Sequence, residues 1–159
     1  MSTLQQSDVM ELHRRPTGGV VVTQIVWQGV DEFSRFLRET PGVVVKDVEA
    51  ALFQEGENVM GVSVRNTPVD TGFLWAGGHN KKTGETGPKP WRDPPITKGG
   101  VTTVTLAYGA SYAVFAHEQP ARAGGQGGPK FLENAVKGAS KGFGDRMQKR
   151  VLDRIKRRR

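Results

Sequence analysis

The chain has 159 residues, 36% of them hydrophobic and 25% charged, with no cysteine and a formal net charge of +7. That length suits one domain. The lack of cysteine excludes disulfides and thiolate metal sites, and no apolar run approaches the ~18 residues of a membrane span, so a soluble chain is expected.

The charge is uneven. Residues 130–159 hold eleven Lys/Arg against three Asp/Glu, whereas residues 1–129 hold twelve against thirteen. The basic excess therefore lies wholly in the last part of the chain.

Residues 1–18 are polar and aperiodic, with no signal-peptide core, and predict a flexible arm. Residues 20–27 are rich in β-branched side chains and predict a strand that ends at Gln28-Gly29. Asp31 stands where a helix cap belongs, and Phe33, Phe36 and Leu37 follow at helical spacing as far as Pro41-Gly42. From 43 to 66 the positions Val45, Val48, Leu52, Val59 and Val62, with Ala51 beside them, predict one buried face of a long amphipathic helix. Gly56 weakens it locally, and Lys46, Glu49 and Glu57 mark a face toward solvent or a neighbouring subunit.

Thr67-Pro68-Val69-Asp70-Thr71-Gly72 ends that helix. Pro68 restricts the residue before it and has no N–H to donate. Asp70 and Thr71 can each return a side-chain oxygen to the backbone, and Gly72 tolerates a positive φ, so Thr67, Pro68, Asp70, Thr71 and Gly72 predict a hinge. Asp70-Thr71-Gly72 also spells the active-site tripeptide of aspartic proteases. That chemistry needs two carboxylates sharing a proton, but the chain has one copy, preceded by a proline and a helix, and the turn reading prevails.

Beyond the hinge, Phe73-Leu74-Trp75-Ala76 reads as a short strand. Residues 78–100, with prolines at 88, 90, 94 and 95, cannot form a regular central strand and read as a long loop. Trp91 lies in its middle, either folded back on the domain or contacting a partner. Residues 101–108 alternate and predict the clearest strand in the chain, residues 112–118 fit a strand or a helical turn, and 119–128 read as a Gly-rich loop. From Pro129 onward, Leu132, Val136, Ala139, Phe143, Met147, Val151 and Ile155 predict one amphipathic helix of about seven turns with a mostly basic polar face. His13, His79 and His117 lack ligand spacing and are expected as solvated side chains rather than a metal site.

Three ordered blocks resemble a known family. They are Thr67-Pro68-Val69-Asp70-Thr71-Gly72-Phe73-Leu74 after a long helix, Tyr112-Ala113-Val114-Phe115-Ala116-His117-Glu118 after a strand, and Pro129-Lys130-Phe131-Leu132-Glu133-Asn134-Ala135 opening the last helix. The set is similar to small virion proteins of long-tailed bacteriophages, described as minor capsid, neck, head-tail joining or tail-completion proteins. The resemblance covers roughly residues 30–145. The chain departs from it at His117-Glu118-Gln119-Pro120, where members often carry a Glu-x-Gly-Thr type ending, and in the longer proline-rich insertion at 88–95.

The resemblance implies an α+β subunit with a small antiparallel sheet packed on a long central helix and a C-terminal amphipathic helix, with long extended loops. It also implies a six- or twelve-fold homo-oligomeric ring around the DNA passage, with no catalytic residue, cofactor or metal. The expected partners are head-completion or connector proteins and tail tube or tail terminator proteins, in a virion made in the host cytoplasm, with non-specific double-stranded DNA contact and no membrane. The corresponding domain division is an arm at 1–18, a neck-protein-like domain at 19–145 and a basic helical extension at 146–159.

On this reading Trp91, Tyr112, Phe115, Glu118 and Phe131 are candidate subunit or ring contacts. Arg146, Lys149, Arg150, Arg154, Lys156, Arg157, Arg158 and Arg159 are candidate contacts to DNA or an acidic partner. A nucleic-acid-binding protein using the basic helix is the alternative, although it lacks recognition signatures. An acid-base set of Asp70, His117 and Glu118 is conceivable on paper, but nothing in the sequence brings the three together.

Overall fold

The structure is a computed structural model describing residues 29–40, 43–87, 89–120 and 127–158. The predicted arm, the predicted strand at 20–27 and Arg159 lie outside the described residues. The fold is α+β, as expected. Helix α1 (Val30–Glu39) starts after Gly29, so Asp31 lies in its first turn rather than at the cap, where a carboxylate still favours the helix dipole. Helix α2 (Val45–Arg65) runs 21 residues, ~31 Å, and Asp47 reaches back to accept the Val44 N–H at 3.3 Å.

The buried face of α2 differs from the predicted stripe. Val45 and Val62 are exposed, and the buried positions are Asp47, Ala51, Glu55, Gly56, Val59, Met60 and Ser63. Helices pack on one side of α2 and the sheet lies on another, so a single apolar stripe does not describe it. Two of the buried positions are carboxylates, which apolar periodicity cannot register.

Residues 73–76 form helix α3 (Phe73–Ala76), not a strand. Gly72 takes φ 81° ahead of it, and Phe73 and Leu74 are both buried while Trp75 is exposed. Adjacent buried residues suit a helical turn, whereas a strand would send them to opposite faces.

The proline-rich stretch contains short strands: β1 (Gly78–His79), β2 (Thr86–Gly87), β3 (Trp91–Arg92) and β4 (Ile96–Lys98). They pair in two-stranded antiparallel ladders, β1 with β2, β3 with β6 (Leu106–Ala107) and β4 with β5 (Val101–Thr103). Every strand is thus an edge, the position that tolerates nearby prolines. The predicted strand at 101–108 is divided between β5 and β6. At Gly56 of α2 an added Cβ would lie 3.0 Å from Val104 Cγ1 and 3.4 Å from Leu106 Cδ2, so the glycine expected to weaken the helix is where the sheet side meets it.

Residues 112–118 resolve as helix α4 (Ala113–Glu118). The predicted seven-turn helix is two helices, α5 (Phe131–Ser140) and α6 (Phe143–Arg157), separated at Gly142 with φ 63°. Each step of four residues advances an apolar stripe by ~40° around a helix. The four successive steps from Ala139 to Ile155 would carry it ~160° around a straight rod, and the break lets each part face its own core.

One core joins Val59, Met60, Phe73, Leu74, Tyr108, Ala113, Phe131, Leu132, Ala135 and Val136. The other joins Phe33 and Ala51 to Met147, Val151 and Ile155. Because α6 helps build this second core, the predicted boundary between 145 and 146 falls inside an integral helix of the domain rather than before an extension. No described helix is long and apolar enough to cross a membrane.

Candidate functional site

The hinge rests on a buried hydroxyl cluster. The Thr67 hydroxyl donates to the Ser63 carbonyl at 3.0 Å and lies 3.2 Å from Tyr108 Oη, which is 2.7 Å from Ser63 Oγ. Burial pushes the Tyr108 phenol above its ordinary value, since the ionised form would lose its hydration. Thr71 Oγ1 accepts the Phe73 N–H at 3.4 Å. Asp70 is exposed and accepts from Lys82 Nζ at 2.6 Å, which ties the corner to the connection between β1 and β2. Asp70 faces this lysine, while His117 and Glu118 pair with each other elsewhere.

The other two blocks close against this corner. Tyr108 and Phe131 meet edge-on with ring centroids 5.0 Å apart, His117 and Phe131 do so at 4.9 Å, and Phe73 packs on Tyr112 at 6.2 Å. The Gly128 N–H donates to the Asn66 carbonyl at 3.0 Å, and the Lys130 N–H to the His117 carbonyl at 2.7 Å. Ser111, just before α4, donates its N–H and hydroxyl to the two oxygens of Glu85 at 2.8 and 2.9 Å.

His117 is buried rather than solvated. Its Nδ1 lies 3.0 Å from Glu118 Oε1, and its Nε2 accepts the Glu133 N–H at 3.4 Å, an arrangement that suits a neutral ring protonated at Nδ1. Lys130 pairs with Glu118, and Lys137 with Glu133. The Lys130 ammonium holds the Glu118 carboxyl below its ordinary range and is itself raised by that carboxylate. Lys137 is the main cause of the same depression at Glu133.

Four arginines of the C-terminal helix pair with carboxylates of α2. Arg146 donates from Nε and Nη2 to Glu55 Oε1 at 2.8 and 2.5 Å, and Arg150 Nη2 reaches Oε2 at 3.1 Å. Arg158 pairs with Asp47, and Arg154 Nε lies 3.9 Å from the same carboxylate. Both carboxylates are buried on α2. Arg146 also donates to the Lys141 carbonyl at 2.5 Å and to the Ala139 carbonyl, capping the end of α5.

Arg146, Arg150, Arg154 and Arg158, read from the sequence as contacts to DNA or an acidic partner, thus each have a carboxylate of the chain's own α2 as a partner. Lys149 and Lys156 alternate with Asp145 and Asp153 along the outer face of α6, so that face is mixed in charge rather than basic. Lys141 and Arg157 are exposed or half-exposed basic residues with no carboxylate partner among the described residues. The sequence missed Glu55 and Asp47. Their signal was two carboxylates eight residues apart in α2, matching arginines repeated every four residues in α6.

The candidate contact residues divide. Phe131 is 1% exposed and fills the space between Tyr108 and His117, so as a core residue it offers no surface to a neighbouring subunit. Trp91 is half-buried in β3 opposite Ala107, which favours the fold-back reading, and Tyr112 is also half-buried. Phe115 is 66% exposed, and Glu118 is exposed while holding Lys130. A shallow depression of about 380 Å³ is lined by Asp145, Gln148, Lys149, Leu152, Asp153 and Lys156. Among the described residues no cluster of His, Asp and Glu could hold a metal ion. Neither a protein-family model nor a curated protein nor a solved structure matches the chain.

Proposed function

We propose that the chain is a structural subunit of a tailed-bacteriophage particle, forming an oligomeric ring at the head-tail junction around the DNA passage. The observation that carries this reading is the convergence of the three sequence blocks. Residues 67–74, 112–118 and 129–135 are far apart in the chain, yet they build one corner through Phe73–Tyr112, His117–Phe131 and the Gly128–Asn66 bond. The blocks whose pattern resembles neck and tail-completion proteins thus lie in contact with one another in the fold. The side chains in it are used for packing and pairing, and the reading assigns none of them a catalytic role.

In such a ring the partners are further copies of the chain, a connector on the head side and a tail tube or terminator protein on the other. Mass spectrometry and electron microscopy of purified phage particles test this. The expected result is the chain present in stoichiometric amount in a ring at the neck. Particles that lack it, or that carry it elsewhere, overturn the proposal. The nucleic-acid-binding alternative drew its support from the charge of the C-terminal helix, and that support weakens once four of its arginines engage Glu55 and Asp47.

A further inference from the structure

We infer that the end of the subunit where α2 starts is a docking surface for the phosphate backbone of double-stranded DNA, built from cations of the β4–β5 hairpin, α2 and α6. The inference rests on the ring reading for its setting, since it names the end of each subunit that meets the DNA passage.

Three elements converge there. Helix α6 runs antiparallel to α2, with Arg146 near its start on Glu55 and Arg158 at its end on Asp47. The hairpin is fastened to the first turns of α2 by Thr97 Oγ1, which donates to Glu49 Oε1 at 2.6 Å. The start of α2, the end of α6 and the hairpin are thereby neighbours.

Helical geometry puts their cations on one side. Val48 and Ile155 belong to the second core. On α2, Lys46 lies ~100° from Asp47 in the sense opposite to Val48, and on α6 Arg157 lies ~60° from Arg154 in the sense opposite to Ile155. Both therefore stand on the side of the Asp47, Arg154 and Arg158 cluster that faces away from the core. Glu49, which holds the hairpin, is ~60° further round α2 than Lys46, and Lys98 ends strand β4. The order across this end is Arg154 and Arg158, then Arg157 and Lys46, then Lys98, all of them exposed.

The subunit does not neutralise this end. Lys46, Lys98 and Arg157 have no carboxylate partner among the described residues, while Arg154 and Arg158, both half-exposed, share the Asp47 carboxylate. The Glu49 carboxylate is engaged by Thr97.

The chemistry selects the partner. Cations spread over three elements suit a row of phosphates, each neutralised singly with release of counterions, rather than one carboxylate. None of these side chains is aromatic, so there is no platform for the unstacked bases of a single strand, which favours a duplex held through its backbone. Gly99 and Gly100, at φ 56° and 81°, form the hairpin turn beside Lys98, and a Cβ at either would meet nothing within 4 Å. The turn is bare backbone open to solvent, which lets it approach a phosphate closely.

The test measures binding of a fluorescent duplex of mixed sequence to the purified chain by anisotropy, over a range of salt concentrations. Lys98→Glu and the double variant Lys46→Glu with Lys98→Glu are compared with wild type. Lys81→Glu, the same charge change at an exposed lysine between β1 and β2 near the hinge, is the control, and circular dichroism and melting temperature confirm that each fold is kept. The double variant should bind about tenfold more weakly at low salt, and each lysine reversed should make the log–log salt slope shallower by about 0.9. Lys81→Glu should leave affinity and slope unchanged.

A wild-type chain that does not bind the duplex at low salt overturns the proposal, and so does a Lys81→Glu variant weakened as much as Lys98→Glu, which would make net charge the cause. Tighter binding to poly-glutamate than to the duplex would assign this end to an acidic protein and overturn it as well. A chain present in the neck whose Lys46 and Lys98 variants bind DNA like wild type removes this surface and leaves the ring reading standing. Binding lost in those variants of a chain absent from particles does the reverse.

Discussion

The Thr67 hydroxyl, buried against Ser63 and Tyr108, and the Asp70 carboxylate, exposed against Lys82, divide the hinge between them. Its rigidity comes from the buried oxygens, whose unsatisfied state would cost ~1–3 kcal/mol. An exposed pair such as Asp70–Lys82 contributes little. Glu118 is one residue whose pairing sets a pH dependence, and Glu133 beside Lys137 is another. Lys130 holds the Glu118 carboxyl below the ordinary value of 4.5, so the folded state binds that proton less readily than the unfolded chain does. The resulting stabilisation is fully present above pH 4.5 and is lost as pH falls through the folded value. Melting temperatures of wild type and Glu118→Gln, measured from pH 7 to pH 3, should differ at neutral pH and converge below 4.5. A gap that stayed constant with pH would rule out this coupling.

Helix α6 differs most, as an element, from its sequence reading. Its apolar residues hold it in the second core, while Arg146 and Arg150 meet a Glu55 side chain only 4% exposed. Burying a carboxylate is tolerable only with such partners, and removing them leaves an uncompensated charge at a cost of ~3–5 kcal/mol. Arg146→Leu with Arg150→Leu should therefore destabilise the protein by about that amount in urea or thermal unfolding. Adding Glu55→Leu to the pair should recover much of the loss, because the buried charge goes with it. Failure of the triple variant to recover would mean that Arg146 acts mainly by capping α5 through the Lys141 and Ala139 carbonyls.

Across the whole molecule, the +7 formal charge overstates what the C-terminal region presents to a polyanion. Lys130, Lys137, Arg146, Arg150, Arg154 and Arg158 have carboxylate partners within the subunit, and Lys149 and Lys156 lie among Asp145 and Asp153. Among the described residues that leaves Lys141 and Arg157. The logarithm of the affinity for double-stranded DNA should fall with the logarithm of salt concentration at a slope of about −2 from this region, about 0.9 per neutralised phosphate. A slope of about −6 or steeper would mean that the internal pairs open onto DNA.

The sequence by itself determined the α+β class, the long helix and its stop at Pro68, and the hinge, because proline, turn-forming side chains and apolar period act within a few residues. Only the tertiary structure decided that residues 73–76 turn as a helix, that the last helix breaks at Gly142, that 101–108 is shared between two ladders and that Phe131 and His117 are interior. It decided as well where the basic charge goes. Each of these depends on groups distant in the chain, above all the meeting of Glu55 and Asp47 with arginines about a hundred residues away. Local pattern shows that a helix is basic; whether its charge faces solvent is settled by the carboxylates that fold against it.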